Sequence, residues 1–293
     1  CESHEKGIYE TTDYDGNPTY YYRGSVENNY VKYAGFYWRI IRINSNGSIR
    51  MIYDGTSVHS NGEVSEDRQY GTSQFNVTYT NNMYLGYMYT SGEANGTGTS
   101  SVIKTNVDKF YIDKLASYNS KLDANVGFCG DRSNLNLQSG VGTGTVITYN
   151  KSYSKVLEST PTLICENVND YYTVSNATNG NKSLTYPIGL ITVDELMLAG
   201  HAGGVFDGAY NHTKLNTQSY LTTGNAFWTM TPSGRYNAYG GTNVFLFIFG
   251  VYGSGYIDDR GVEIILGLRP VINIRSDVKI TGSGTMTDPF IVS

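Results

Sequence analysis

The segment GFYWRIIRINSNGSIRMIYDG, residues 35–55, predicts a β-hairpin near the start of the chain. Apolar and aromatic residues dominate 36–43 and 49–53, as expected for two paired strands. Asn46 and Gly47 between them are typical of a tight hairpin turn, because both residue types tolerate the positive φ angles that such a turn requires. This hairpin therefore fixes one antiparallel strand pair of the fold.

Later segments predict two helices followed by a cluster of strands. Apolar residues recur at helical spacing over 100–120. A shorter helix is expected within 188–199, where Thr192 and Glu195 match a capping box and Gly200 follows as a stop signal. Helices and strands that occur in separate runs, without regular alternation, predict the α+β class. The strand-like runs that follow the helices are 227–230, 244–251, 255–257 and 268–274.

The chain divides into three parts by composition. Residues 1–24 are polar with scattered tyrosines and are expected to form an N-terminal arm. Residues 25–275 are expected to form the main domain, with a loop insertion rich in Gly, Ser, Asn and Thr at 55–99. Residues 276–293 are expected to form a C-terminal tail that adds an edge strand.

Composition argues against a nucleic-acid partner. The 293 residues carry a net charge of −5, with a pI near 5.4 and no run of basic residues. No apolar segment approaches the roughly 20 residues of a transmembrane helix. Charged residues make up only 16% of the chain, so its polarity comes mainly from Asn, Ser, Thr and Gly. This composition favours an extracellular or cell-surface location.

The three cysteines predict one disulfide bond and leave one cysteine over. Cys129 and Cys165 are expected to bridge, since an extracellular setting permits disulfides. The alternative is a pair of buried free thiols. For Cys1 three interpretations stay open: a lipid-attached membrane tether at or upstream of it, pairing with a segment outside this sequence, or truncation.

The window 233–262 contains no Lys, Gln, Glu, Met or Trp and is filled by Tyr, Phe, Asn, Asp, Ser, Gly and Val. Rigid aromatic residues and small polar residues are typical of binding surfaces such as antibody paratopes. We therefore expect a ligand-binding face over 233–265; the alternative is an ordinary aromatic-rich sheet with glycine turns. The candidate ligand-binding residues are Arg235, Tyr236, Asn237, Tyr239, Asn243, Phe247, Phe249, Tyr252, Tyr256, Asp258, Asp259 and Arg260.

Motifs of catalysis are not found, so the sequence predicts a protein that is not an enzyme and holds neither a cofactor nor a metal. No nucleophile elbow, P-loop or dinucleotide-binding glycine motif occurs. Two weaker alternatives are a zinc pair at His201 and His212 and calcium binding by Asp258, Asp259 and Glu263, since calcium takes oxygen ligands. A third hypothesis, that the protein hydrolyses glycans, rests only on abundant aromatic residues and scattered acidic residues. The four histidines are His4, His59, His201 and His212.

Seven segments stand out as a set of motifs: GFYWRIIRIN (35–44), SIRMIYDG (48–55), MYTSGEANGTGTSS (88–101), GFCGDR (127–132), YPIGLITVDELMLAG (186–200), FWTMTPS (227–233) and GLRPVINIRSDVKITGSGTMTDP (267–289). Together they resemble predicted surface or pilin-like proteins of gut Firmicutes and related bacteria. That resemblance covers nearly the whole chain and implies a cell-surface protein, with a structural pilin-like or adhesin subunit as the alternative to a ligand-binding protein.

The order of an early β-hairpin, two helices, a C-terminal strand cluster and a closing GLRPV strand is also similar to the C-type lectin-like fold. Variable proteins of diversity-generating retroelements use that fold and place their variable region near the C-terminus. Adenine-directed mutagenesis in that family excludes the five residue types missing from 233–262, whereas Glu263 would be a framework residue. The resemblance implies a ligand that is a protein or glycan on another cell or on a phage. The calcium–sugar motifs of C-type lectins and the C-terminal cysteine pair of formylglycine-generating enzymes are missing from this sequence.

Overall fold

A computed structural model gives the fold for most of the chain. It describes residues 6–13, 15–77, 82–91, 93, 95–133, 148–176, 178–201, 219–237, 244–251 and 255–293. For 82–83, 148–149, 235–237 and 244–249 it describes the backbone alone. The described residues combine many strands with few helices, which confirms the α+β class.

The strands, in chain order, are β1 (Gly7–Thr12), β2 (Pro18–Arg23), β3 (Tyr30–Tyr33), β4 (Phe36–Ile43), β5 (Ile49–Gly55), β6 (Thr72–Gln74), β7 (Met88–Tyr89), β8 (Thr99–Ser100), β9 (Phe128–Cys129), β10 (Thr148–Tyr149), β11 (Tyr171–Tyr172), β12 (Ile188–Gly189), β13 (Phe227–Asn237), β14 (Val244–Val251), β15 (Ile257–Gly261), β16 (Ile265–Gly267), β17 (Val271–Ile274), β18 (Ile280–Thr281) and β19 (Phe290–Val292). The helices are α1 (Val102–Phe110), α2 (Lys151–Glu158) and α3 (Val193–Leu198). A π-helical turn, Tyr111–Leu115, and a 3-10 turn, Ala116–Lys121, continue α1, and further 3-10 turns are Glu66–Arg68, Asn82–Leu85 and Val168–Asp170.

The predicted hairpin is confirmed as β4 and β5 at the centre of the larger sheet. The turn places Ile43 opposite Ile49, and Gly47 adopts a φ of +79° that a side chain would strain. Trp38 on β4 is fully buried and donates its indole N–H to the carbonyl of Tyr33. The strand order of this sheet is β12-β17-β5-β4-β3-β19-β18, with β2 also paired to β4 and β1 to β2.

Both ends of the described chain belong to this larger sheet. The segment expected to be an arm forms the hairpin β1–β2, and Tyr20 and Tyr21 on β2 pair with Ile43 and Arg42 on β4. The composition break near residue 24 therefore does not mark the edge of the sheet, because polar tyrosine-rich strands can pair as well as apolar ones. The C-terminal tail contributes the outer pair, with β19 lying parallel to β3 and β18 beyond it.

The second sheet carries the C-terminal strand cluster. Its order is β15-β14-β13-β16-β6, and β10 pairs with the far half of β13. The predicted runs at 227–230 and 244–251 are confirmed, although β13 extends to Asn237. The strand expected at 255–257 begins only at Ile257, and the run at 268–274 contributes β17 to the other sheet.

The described residues contain three α-helices, whereas the sequence predicted two. The helical stretch over 100–120 is confirmed by α1 and the turns that continue it. The capping box is confirmed too, because Thr192 accepts from the N–H of Glu195 while Glu195 accepts from the N–H of Thr192. Helix α2 was not predicted. It is only eight residues long, KSYSKVLE, and burial of Ser152 and Val156 holds it against the second sheet.

The predicted disulfide is confirmed between Cys129 at the end of β9 and Cys165, whose Cα atoms lie 5.7 Å apart. It joins β9 to the loop that follows α2. In the same region β9 pairs with β11, with Cys129 opposite Tyr171. The disulfide therefore cross-links a region in which the strand pairing, between β9 and β11, is only two residues long.

We expect replacement of both Cys129 and Cys165 by alanine to lower the free energy of unfolding by about 3–4 kcal/mol. The bond is formed across a sequence separation of 36 residues, so its loss frees a long loop in the unfolded chain. Urea denaturation of the double variant, compared with wild type before and after reduction, measures this. Equal stability of the oxidised wild type and the variant would contradict it.

Candidate functional site

The described parts of the predicted window lie mainly on three neighbouring strands of the second sheet, β13, β14 and β15. Strand β14 pairs antiparallel with β13 on one side, with Tyr236 opposite Phe245. On its other side it pairs antiparallel with β15, with Phe249 opposite Asp259. The pairing with β13 contains two irregularities, between Trp228 and Gly234. The sheet thus places β13 and β15, which are well separated in the sequence, on either side of β14.

The twelve predicted binding residues fall into three groups by what the structure describes. Those on described strands without described side chains are Arg235, Tyr236, Asn237, Phe247 and Phe249. Those outside the described residues are Tyr239, Asn243 and Tyr252. Those described in full are Tyr256, Asp258, Asp259 and Arg260.

The acidic pair on β15 is partly an internal structure. Asp258 is buried, accepts a hydrogen bond from the N–H of Asp259 at 2.9 Å and forms an ion pair with Arg260 at 3.3 Å. Burial and the neighbouring carboxylate of Asp259 raise the pKa of Asp258 above its ordinary value. Asp259, Arg260 and Tyr256 are only half-buried. Asp258 therefore serves to orient Arg260, while the half-buried residues are the ones that a ligand can reach.

No metal site emerges from the acids of this region. Among the residues that the structure describes, no group of three or more His, Cys, Asp or Glu is arranged to hold a metal ion. Asp258 is engaged by Arg260 and by a backbone N–H. The calcium alternative for Asp258, Asp259 and Glu263 thus finds no support in the described geometry. The zinc alternative includes His212, which lies outside the described residues.

The start of β13, the end of β14 and the start of β15 lie side by side and are anchored in the core. Phe227, Val251 and Ile257 stand opposite one another across β13, β14 and β15, and all three are buried. Trp228 is fully buried, donates its indole N–H to the carbonyl of Ser73 at 2.8 Å and packs edge-to-face on Phe75. These contacts give the window a rigid base.

A buried cluster of charges supports this base, and sequence reasoning missed it. Asp54 accepts hydrogen bonds from Arg68 at 2.8 and 3.0 Å and from Arg269 at 2.9 Å. Arg39 lies 4.0 Å from the same carboxylate, and the four side chains are at most 1% exposed. Arg269 also stacks over the ring of Phe227, the first residue of β13. Arginines inside apolar strands, such as Arg39 in FYWRIIRI, were the signal that a buried acid was needed.

Ser57, His59 and Glu63 superficially resemble a nucleophile triad. The ring nitrogen Nδ1 of His59 lies 2.8 Å from Glu63, and Nε2 lies 3.2 Å from the hydroxyl of Ser57. However, Nε2 also lies 2.9 Å from the carboxylate of Asp67. With a carboxylate at each nitrogen, His59 is held as a cation, so Nε2 is a donor and does not accept a proton from Ser57. His59, Glu63 and Asp67 instead form an ionic cluster that holds the loop after β5, and we call this cluster the ionic clamp.

We expect the clamp to make part of the stability depend on pH. Burial alone would lower the pKa of His59, but hydrogen bonds to Asp67 and Glu63 outweigh it and raise the pKa above the ordinary 6.5. The clamp therefore contributes fully below pH 6.5, and its contribution is lost as the pH rises through the raised value. Relative to His59→Gln, wild type should gain about 0.5–1 kcal/mol at pH 6 that disappears at high pH. Urea denaturation of both proteins from pH 5.5 to 9 checks this, and parallel curves would contradict it.

Comparison with known proteins gives no match for this chain. No protein-family model matches it. No curated protein and no solved structure matches it either. Within the described part of the chain, no helix has the length and apolar character needed to span a membrane.

Proposed function

We propose that this chain is a cell-surface or secreted ligand-binding protein whose binding face is formed by residues 233–265. The observation that carries the proposal is a coincidence of composition and topology. The described parts of the segment that lacks Lys, Gln, Glu, Met and Trp, 233–262, lie mainly on β13, β14 and β15, three adjacent strands of one sheet. Neighbouring strands can bring residues that are distant in sequence to one ligand, as a binding face requires.

The difference between the buried residues at the base of the strands and the half-buried polar residues farther along supports the same proposal. The base of the strands is fixed by buried residues such as Trp228 and by the charged cluster around Asp54. Farther along, Asp259 and Arg260 are half-buried and polar, with Arg260 oriented by Asp258. Rigid support beneath adaptable side chains lowers the entropy that is lost on binding.

A C-type lectin-like fold is the finer part of the proposal. Supporting features are the early hairpin β4–β5, its direct pairing with the late strand β17, and the C-terminal strand cluster on a separate sheet. Diversification of the window by a retroelement follows from the same resemblance. Sequencing the genomic neighbourhood tests it: a reverse-transcriptase gene and a near-copy of the window that differs at adenines would support it, and their absence would contradict it.

Binding to a printed array of glycans and bacterial surface proteins tests the function. We expect the wild-type protein to give specific signals that fall at least about tenfold in the double variant Asp259→Ser, Arg260→Ser. The matched control is Lys109→Ser, Asp113→Ser, which removes another acid–base pair, on α1 and the turn that continues it. The proposal would be contradicted if the control variant lost as much signal as the window variant. It would also be contradicted if the folded wild-type protein gave no signal.

A structural subunit of a pilus-like assembly is the alternative, with the apolar run 244–249 as its interface. The topology gives it less support, because β14 is paired on both sides and its backbone cannot accept a strand from another subunit. Analytical ultracentrifugation distinguishes the two. The binding proposal expects no polymer at high concentration, whereas concentration-dependent polymers would favour the structural subunit.

A further inference from the structure

A polar cleft of about 180 Å³ lies away from the described window residues. Its walls come from the turn after β1, the β4–β5 turn, the loops around the disulfide and the start of α3. None of Tyr256, Asp258, Asp259 or Arg260 lines it. Its volume is comparable with the roughly 150 Å³ cavity that accommodates benzene, so it has room for one small molecule of that size.

The floor of the cleft is a buried ion cluster with an excess of positive charge. The β4–β5 register places Arg42 directly opposite Arg50, and Glu195 of α3 pairs with both. Although burial opposes its ionisation, Arg50 and Arg42 lower the pKa of Glu195. Two guanidinium groups share this one carboxylate, so the cluster keeps one uncompensated positive charge.

Arg42 offers that charge to the cleft. Its Nε donates to Glu195 at 3.0 Å, which fixes the plane of the guanidinium, and the side chain is only 10% exposed. No hydrogen bond within the described residues uses its two terminal nitrogens. Arg50, in contrast, is fully buried and directs Nη1 to the carbonyl of Gly127 and Nη2 to Glu195. A fixed guanidinium with both terminal nitrogens available matches the two oxygens of a carboxylate.

Acidic side chains line the same cleft. Asp13, Asp15, Asp131 and Asp194 all contribute to its walls. Asp131 and Asp194 both lie within 4.0 Å of the ammonium group of Lys155. An ionised carboxylate only accepts hydrogen bonds, so these walls favour a ligand that brings donors beside its own carboxylate.

We propose that this cleft binds a small monocarboxylate that carries a hydroxyl or ammonium group near the carboxylate. The carboxylate is received by Arg42, and the neighbouring donor by the acids Asp13, Asp15, Asp131 and Asp194, which line the cleft. Phosphate fits less well, because its second negative charge would face these acids. An acidic sugar and an amino acid share this chemistry.

Isothermal titration calorimetry with four probes tests the proposal: D-glucuronate, L-serine, D-glucose and inorganic phosphate. We expect saturable binding of glucuronate or serine at concentrations up to about 10 mM, with glucose and phosphate weaker by at least about tenfold. Binding of glucuronate alone assigns an acidic sugar, and binding of serine alone assigns an amino acid. Failure of both carboxylates, or equal binding of glucose or phosphate, would overturn the proposal.

Variants of Arg42 assign the binding to this cleft. Arg42→Gln should abolish it, and Arg42→Lys, which keeps a charge beside Glu195 and so protects folding, should weaken it at least about tenfold because the two-nitrogen fork is lost. The matched control is Lys109→Gln, an exposed cation on α1 that should leave binding unchanged. Circular dichroism checks that each variant is folded. Unchanged affinity in folded Arg42→Lys would overturn the assignment.

Discussion

Replacement of Asp54 by asparagine is expected to lower the free energy of unfolding by about 3–5 kcal/mol. Asp54 is the carboxylate that Arg39, Arg68 and Arg269 share, and the four side chains are almost completely buried. Burial lowers the pKa of Arg39 and of Arg269 even with this carboxylate present. Without its charge, three buried cations would be balanced only by backbone carbonyls and side-chain amides.

Urea denaturation at neutral pH measures the effect. The matched control is Asp113→Asn, which removes an exposed carboxylate from its ion pair with Lys109 and should change stability by less than about 0.5 kcal/mol. A loss of less than about 1 kcal/mol for Asp54→Asn would mean that the carbonyl groups around the arginines suffice, and the cluster would not be the support that we describe.

Replacement of Trp228 by alanine is expected to cost about 3–5 kcal/mol. The indole is fully buried, packs on Phe75 and donates to the carbonyl of Ser73, so its removal leaves a cavity and an unpaired carbonyl. Trp38→Ala on the other sheet should cost a similar amount, since Trp38 is also fully buried. Thermal unfolding followed by circular dichroism measures both.

A substitution in the window should cost much less stability than Trp228→Ala. Tyr256 is half-buried, and Tyr256→Ser should change stability by no more than about 1 kcal/mol. An aromatic-rich sheet without a binding role would use its tyrosines for packing. Losses of similar size in Tyr256→Ser and Trp228→Ala would therefore identify the window as core.

Local signals in the sequence were enough for several elements of the fold. Asn46-Gly47 specified the β4–β5 turn, and Thr192 with Glu195 specified the start of α3, because each depends on residues close together in the chain. Helix α2 was missed because packing against β13, which a local pattern does not contain, stabilises it. The pairing of β2 with β4 was missed for the same reason.

The buried charged clusters could be predicted from the sequence only in part. Glu195 was recognised as a helix cap, but its pairing with Arg42 and Arg50 depends on how α3 packs on the hairpin. Arg42 and Arg50 each lie four residues from Asn46, and the hairpin is centred on Asn46, so the pairing of the two arginines was partly visible in the sequence. The partner in each charged cluster comes from a distant segment, and one sequence does not reveal it.

The central claim, that 233–265 is a tolerant binding face on a rigid base, is tested most directly by a display library. The randomised positions are Tyr236, Asn237, Tyr239, Asn243, Tyr252, Tyr256, Asp259 and Arg260. A second library randomises an equal number of buried framework positions, including Trp38, Trp228 and Val251. The measurement is the fraction of displayed clones that resist protease. We predict that most clones of the window library remain resistant while few of the framework library do; equal loss of resistance in the two libraries would contradict the claim.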